Sequence, residues 1–171
     1  MSQWFLGSFR TVVQALVAHD SAGQIAAGVA IGAVLGLLPK ATLLALAFVI
    51  ALGALRVNRA AGLAAAGLTA ALTPLLDPML HWLGIRVLSV ASLQPTFAWL
   101  YEAPLGPWIG FHNTVGMGAL LVGLYVAYPL FLAVRTVLER IRPRLVRWIQ
   151  RYRIARVLLG ADVVTRWGSL Q

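Results

Sequence analysis

Charge is distributed very unevenly along this chain of 171 residues. Residues 21–134 carry only six formal charges, whereas residues 135–156 contain eight arginines. Hydrophobic residues make up 60% of the chain and charged residues 11%, against about 25% charged in an average soluble domain. A long apolar stretch that ends in a dense run of arginines is typical of a protein that spans a membrane and ends on its cytoplasmic side. We therefore expect a polytopic, all-α transmembrane protein.

The composition also excludes several kinds of chemistry. The chain has no cysteine, so disulfides, thiol catalysis and cysteine-bound metals are excluded. Its histidines are scattered as His19, His81 and His112 without the spacing of a metal-binding motif, and we expect no metal and no cofactor. Only five acids are present, with no phosphate-binding loop and no nucleophile motif, so we expect no catalytic residues and no enzyme.

The net charge of +9 raises nucleic acid as a partner. The basic segments, however, contain as many large apolar residues as charges, and they follow a predicted membrane span. An anionic phospholipid surface is therefore the expected polyanion, and nucleic acid is not.

Four segments are apolar enough to enter a bilayer: residues 22–38, 41–55, 60–76 and 114–134. The first three are short, because a perpendicular span needs about 20 residues. Residues 22–55 either cross the bilayer as two helices or form a re-entrant hairpin around Pro39, and we favour two crossing helices. Residues 78–110 predict an outside-facing, partly interfacial region that begins with a separate short helix over residues 79–90.

Basic residues and tryptophans predict the orientation. If the 56–59 loop and the tail are cytoplasmic, twelve arginines lie inside, and only Lys40 and Arg86 lie outside. This is a strong positive-inside bias, and it places both termini in the cytoplasm. The six tryptophans lie outside the four apolar segments, as expected of an aromatic belt at the headgroup level.

The chain divides into three parts on this basis. Large apolar residues recur at helical spacing over residues 1–20, which predicts an amphipathic helix at the interface. Residues 21–134 form the transmembrane domain, and residues 135–171 form a basic cytoplasmic tail that includes a second amphipathic helix.

Two pairs of polar residues border the apolar segments and form a candidate site. Asp77 is the only acid in residues 21–101, and His81 follows four residues later. An aspartate before a proline typically begins a helix, whereas a carboxylate in lipid usually faces the protein interior, where it serves ions or protons. Asn113 and Thr114 open the fourth segment as a helix cap or as an anion site. Capping is the favoured interpretation for both pairs.

Two further sets of residues repeat at helical spacing. Small residues four apart let helices approach closely, and Gly28, Gly32 and Gly36 have this spacing. Close packing inside one protomer is favoured over a dimer face or a permeation route. In the tail, four arginines form one stripe opposite large apolar residues: Arg140, Arg144, Arg147 and Arg151. Anchoring of the topology, contact with anionic headgroups and docking of a partner remain open for this stripe.

Several short runs resemble a bacterial membrane family. They are residues 21–32 (SAGQIAAGVAIG), 37–39 (LLP), 56–58 (RVN), 76–81 (LDPMLH) and 111–116 (FHNTVG). Together they resemble the short, stand-alone branch of the family known as domain of unknown function 2062. The match covers about residues 15–135, and several members carry proline in place of Gly23 and asparagine in place of His112. The resemblance implies a bacterial inner-membrane location and brings no established activity.

We therefore expect a multi-pass, non-enzymatic protein of the bacterial inner membrane. It handles or organises anionic lipid, or it serves as the membrane subunit of an envelope complex. A second copy of the chain or an envelope protein is the expected protein partner. Two alternatives come from other classes: a small-solute or ion transporter would depend on Asp77, and a passive assembly factor would depend on the glycines or the tail.

Overall fold

The structure is a computed structural model that describes residues 20–151 of the chain, and this part is helical without a strand. Its α-helices are α1 (Ala22–Leu37), α2 (Leu43–Ala54), α3 (Arg59–Leu88), α4 (Gln94–Glu102), α5 (Gly106–Ile109) and α6 (Thr114–Arg151), and a short 3-10 helix spans Ala91–Leu93. The predicted all-α class is confirmed for these residues. The predicted N-terminal amphipathic helix, apart from Asp20, and the last part of the tail lie outside them.

Local capping chemistry explains where the first two helices begin. The Ser21 hydroxyl accepts from the Gln24 backbone N–H (3.2 Å), and the Ser21 N–H donates to Gln24 Oε1 (2.7 Å). This reciprocal cap satisfies two backbone donors at the start of α1. Leu38 precedes a proline and leaves α1 in an extended conformation, as the proline ring requires. Thr42 then begins α2, because its hydroxyl oxygen accepts from the Ala45 N–H (3.2 Å).

Helix length separates two kinds of apolar helix. α1 and α2 have 16 and 12 residues, or about 24 and 18 Å of helix. Two other helices in the described part, Arg59–Leu88 and Thr114–Ile141, are long and apolar enough to cross a membrane, by length and composition. The structure therefore has two candidate membrane-spanning helices, and the predicted count of four spans stays a prediction.

The 30-residue helix α3 is continuous across two prolines. It joins the predicted third segment to the predicted short helix over residues 79–90. Asp77 therefore lies inside a helix, between Pro74 and Pro78, and does not begin one as we predicted. Each proline removes a backbone donor. In apolar surroundings an unwound segment would leave more backbone groups without partners, so interior prolines are tolerated there.

The last helix, α6, continues beyond the predicted fourth segment. It has 38 residues, passes the boundary predicted after residue 134, and includes Pro143 without ending there. It carries all four arginines of the predicted stripe, Arg140, Arg144, Arg147 and Arg151. Side chains after residue 141 lie outside the described part of the chain.

Glycines set the contact between α1 and α3. A Cβ atom added at Gly28, Gly32 or Gly36 would come closer than 3.0 Å to backbone or side-chain atoms of the facing segment. The facing atoms advance from Asn58 to Ala66 as α1 advances, so the two helices run parallel. The three glycines thus lie in a contact inside one protomer, where small residues allow the backbones to meet.

The helix α6 runs antiparallel to α3. A Cβ atom added at Gly118 would collide with the Leu80 backbone, and one added at Gly84 would collide with the Thr114 backbone. The core between α1, α2, α3 and α6 consists of Val34, Leu35, Leu37, Leu38, Ala45, Leu80 and Ala119. α1 is therefore the central helix, since eleven of its sixteen residues are buried.

The bundle has two ends of different chemistry. The arginine end, as we call it, contains the starts of α1 and α3 and the stretch of α6 that passes them, with Arg56, Arg59, Arg135 and Arg140. The histidine end contains the α1–α2 turn, the last turns of α3 and the start of α6, with Lys40, His81, His112 and Thr114.

Candidate functional site

Two predicted site residues meet at the histidine end. His81 lies on α3 and Thr114 begins α6, and the His81 Nδ1 and Thr114 Oγ1 atoms are 2.6 Å apart. The absence of a side chain at Gly84 brings the start of α6 against α3 and makes this contact possible. An imidazole within reach of a hydroxyl is the beginning of a base–nucleophile pair. Among the described residues, however, no carboxylate orients the other ring nitrogen.

Asn113 acts as the cap of α6. Its side-chain Oδ1 accepts from the backbone N–H groups of Val115 (2.9 Å) and Gly116 (3.2 Å). These two donors are among those that an anion at the helix N-terminus would use. The structure therefore favours capping over the anion site that the sequence left open.

Asp77 lies one turn before His81 on α3 and is half-buried. Within residues 20–141, no hydrogen bond or ion pair joins Asp77 to His81 or to any other side chain. The structure thus brings His81, Asn113 and Thr114 together and leaves Asp77 beside them without a partner in the described chain.

A cavity of about 340 Å³ lies between α4, the end of α3 and the turn before α6. Its wall is mostly apolar, and His112 meets the Tyr101 ring edge-on, with centroids 5.5 Å apart. This volume is at the lower end for a ligand pocket. The cavity was not predicted from the sequence, because its wall is formed by residues from several separate segments of the chain.

Lys40 closes the carbonyl end of α1, a role that the sequence analysis did not assign. Its Nζ donates to the carbonyl oxygens of Leu35 (3.1 Å), Gly36 (2.7 Å) and Leu38 (2.9 Å). These groups would otherwise lack partners where the helix ends. Burial lowers the pKa of the Lys40 ammonium below its usual 10.5. A lysine just after a helix is the signal that predicts such a cap.

Asn58 joins three segments at the arginine end and was also missed as a site. It is only 4% exposed. Its Nδ2 donates to Asp20 Oδ2 (2.7 Å), its Oδ1 accepts from the Ala61 N–H (2.7 Å), and its own N–H donates to the Gln24 carbonyl oxygen (3.1 Å). An asparagine before an apolar run predicts the cap, but nothing in the sequence predicts the bond to Asp20.

The arginine end carries a surplus of positive charge among the described residues. Arg56, Arg59 and Arg140 are exposed. Arg135 forms an ion pair with Glu139 (2.8 Å), and Asp20 accepts from Asn58, so neither acid there offsets the three exposed arginines by direct pairing. The stripe predicted in the tail begins at this end with Arg140.

Over the residues that the structure describes, no three histidine or acidic side chains lie together as a metal site would require. No family model, curated protein or solved structure matches the chain. The resemblance to domain of unknown function 2062 stays a prediction.

Proposed function

We propose that this chain is a small multi-pass protein of the bacterial inner membrane that binds anionic phospholipid at its arginine end and catalyses no reaction. The observation that carries the proposal is the separation of surfaces along the bundle. Apolar side chains are exposed along α3 and α6, while exposed arginines are concentrated at one end of the bundle. Such a surface suits a protein whose sides face lipid and whose end faces headgroups.

Helix dimensions support the placement in a bilayer. From Thr114 to Arg135, α6 rises about 32 Å, close to the hydrocarbon thickness of about 30 Å. On α3, Leu63, Leu68 and Leu75 are 63%, 66% and 79% exposed. Leucine side chains exposed along the length of a helix are unfavourable in water and favourable in lipid.

Exposed aromatic residues support the same boundary at the histidine end. Trp82, Trp99 and Trp108 are all more than half exposed there, and the guanidinium of Arg86 lies 4.7 Å from the Trp82 ring centroid. Indole rings prefer the headgroup level, so this group supports the predicted aromatic belt at the outer interface.

The course of α1 and α2 favours two crossings over a re-entrant hairpin. α1 begins beside Asn58 at the arginine end, and Pro39 reaches Gly116 in the first turn of α6. Leu38 is extended and carries the chain beyond the end of the 16-residue helix before it turns over residues 39–42. Four passes in alternating directions place both termini of the bundle on the arginine side, which the positive-inside rule assigns to the cytoplasm.

The exposed arginines specify the partner. Each basic residue close to an anionic leaflet contributes about 1 kcal/mol, which corresponds to about a fivefold change in affinity. Arg56, Arg59 and Arg140 together with the tail arginines would therefore retain phosphatidylglycerol or a similar anionic lipid in preference to a zwitterionic one. The predicted role as membrane subunit of an envelope complex is compatible with this contact.

Native mass spectrometry of the full chain, released from nanodiscs of mixed phosphatidylglycerol and phosphatidylcholine, tests the proposal. Replacing Arg56, Arg59 and Arg140 with glutamine is expected to reduce the ratio of retained phosphatidylglycerol to phosphatidylcholine by tenfold or more, as each charge contributes about fivefold. The matched control is Arg86→Gln, an exposed arginine at the opposite end, which leaves the ratio unchanged. Equal retention of both lipids by the wild type contradicts the proposal.

Asp77 supports a second candidate function, a small-solute or ion transporter. It is half-buried on an apolar helix and has no hydrogen-bond partner among the described residues. In proteoliposomes, a transporter predicts that Asp77→Asn abolishes ion or proton flux while the protein stays folded. Flux that persists in Asp77→Asn, or is absent from the wild type, removes this candidate.

An assembly factor that docks through Gly28, Gly32 and Gly36 is disfavoured, because α3 already covers that face.

A further inference from the structure

Two tyrosines lie on the outside of α6 halfway along its apolar length. Tyr125 and Tyr128 are 83% and 68% exposed, and neither hydroxyl has a hydrogen-bond partner among the described residues. At about 1.5 Å per residue, Tyr125 lies about 16 Å from Thr114 and about 15 Å from Arg135. If α6 crosses the bilayer as proposed above, Tyr125 lies near its midplane.

Tyrosine at this depth needs a reason. Tyrosines in membrane proteins normally lie at the headgroup level, where the ring is in lipid and the hydroxyl is in water. A phenol is too short to reach either interface from the midplane. Helical side chains also lean towards the N-terminus of their helix, so the Tyr128 ring leans towards the bilayer centre and away from the nearer interface. Both hydroxyls therefore require a partner within the membrane.

The pattern around the tyrosines identifies that partner. Leu121, Tyr125, Tyr128 and Leu132 recur at spacings of four, three and four residues and form one exposed stripe on α6. In a two-fold dimer whose axis is normal to the membrane, each residue meets its own counterpart at the same depth. At such an axis each side chain packs against an identical side chain, so only groups that can bind to a copy of themselves are favourable there. Hydroxyls do so because each one both donates and accepts, and the stripe contains no charge that would repel its copy.

We infer that the chain forms a parallel homodimer through the α6 stripe, in which the hydroxyls of Tyr125 and Tyr128 donate and accept hydrogen bonds across the two-fold axis. The inference rests on the proposed membrane placement and not on lipid recognition. It also differs from the dimer face considered for the glycines, which are covered by α3 within one protomer.

Cysteine cross-linking in isolated membranes tests the geometry, since the chain contains no cysteine of its own. Tyr125→Cys is expected to give an oxidant-induced homodimer in high yield. Leu75→Cys is the matched control, because Leu75 is 79% exposed on α3 and lies at a similar depth, five residues before the contact between Leu80 and Gly118. It is expected to give at least fivefold less homodimer.

Removal of the hydroxyls tests the chemistry. Single-molecule photobleaching in bilayers of varied protein density gives the dimer dissociation constant of the otherwise wild-type chain. Tyr125→Phe with Tyr128→Phe keeps the ring shape and is expected to raise this constant about three- to thirtyfold, the range that interhelical hydrogen bonds in membranes support. Tyr101→Phe, which removes an exposed hydroxyl at the histidine end, is expected to leave it unchanged.

Three outcomes would overturn the inference: equal cross-linking at positions 125 and 75, a Tyr125→Cys adduct with a different protein, or a wild-type monomer at every density. An alkaline carbonate wash of the same membranes separates the two proposals. If the protein is released by the wash, the membrane placement and the dimer fail together. If it is retained but does not cross-link through position 125, only the dimer fails.

Discussion

Single polar side chains tie this apolar bundle together at its two ends. Asn58 is buried and bonds to the starts of both α1 and α3. Lys40 satisfies three carbonyl oxygens at the end of α1. Side chains that satisfy buried or helix-terminal backbone groups stabilise a fold while these bonds are made, and their removal leaves the partners unsatisfied. Stability should therefore be sensitive at these residues, although neither belongs to the predicted site.

Asn58→Ala is expected to destabilise the protein by about 2–3 kcal/mol, because it removes a helix cap and leaves the Asp20 carboxylate without this donor. Asn113→Ala is the matched control. Asn113 caps α6 in the same way but is exposed, so its loss should cost about 1 kcal/mol. Unfolding of both variants in mild detergent measures the difference, and equal losses would contradict the role assigned to Asn58.

The pH dependence of stability should contain a contribution from Lys40. Its pKa is lowered in the fold from 10.5, so between the two pKa values the unfolded chain binds more protons. Stability then rises as the pH increases towards 10.5. Thermal unfolding over an alkaline pH series should show this rise in the wild type and a weaker one in Lys40→Met. Identical slopes in the two proteins would contradict the assignment.

Among the helices, α3 packs closely against a different helix along each of its halves. Its first turns face the glycines of α1, and its last turns face Gly118 and Thr114 of α6. A methyl group at Gly32 would have to displace the Gly62 backbone. In contrast, a Cβ atom at Gly67 has no neighbour within 4 Å.

Gly32→Ala and Gly67→Ala are therefore expected to have opposite effects. Gly32→Ala should destabilise the protein by about 1–3 kcal/mol through overpacking. Gly67→Ala should stabilise it by about 0.5–1 kcal/mol, because alanine favours the helix and meets no obstacle. Unfolding free energies of both variants in one detergent check the prediction. Destabilisation by Gly67→Ala would mean that this side of α3 is covered.

Helix existence was largely predictable from the sequence, and helix continuity was not. Asn113 begins α6 as its capping chemistry predicts. Pro74 and Pro78 misled the prediction for α3, because the rule that proline ends a helix assumes water to satisfy the freed carbonyl groups. The His81–Thr114 contact and the cavity near Tyr101 depend on how distant segments meet, which local patterns do not specify.

At the scale of the whole molecule, the membrane placement that we propose gives the bundle lipid-facing sides, an arginine end in the cytoplasm and a histidine end outside. Both proposals depend on the long axis of the bundle crossing the membrane. The lipid contact requires Arg56 and Arg59 at one end of this axis, and the dimer requires Tyr125 halfway along it. Placement of this axis across the membrane is therefore the property on which both proposals depend, and its orientation decides which side the arginine end faces.

Labelling of single cysteines in spheroplasts with a membrane-impermeant maleimide tests this orientation most directly. Leu105 and Leu55 are 63% and 51% exposed and lie at the histidine end and the arginine end. We expect Leu105→Cys to be labelled in intact spheroplasts and Leu55→Cys to be labelled only after the membrane is permeabilised. Labelling of both from outside, or of Leu55→Cys alone, would contradict this orientation.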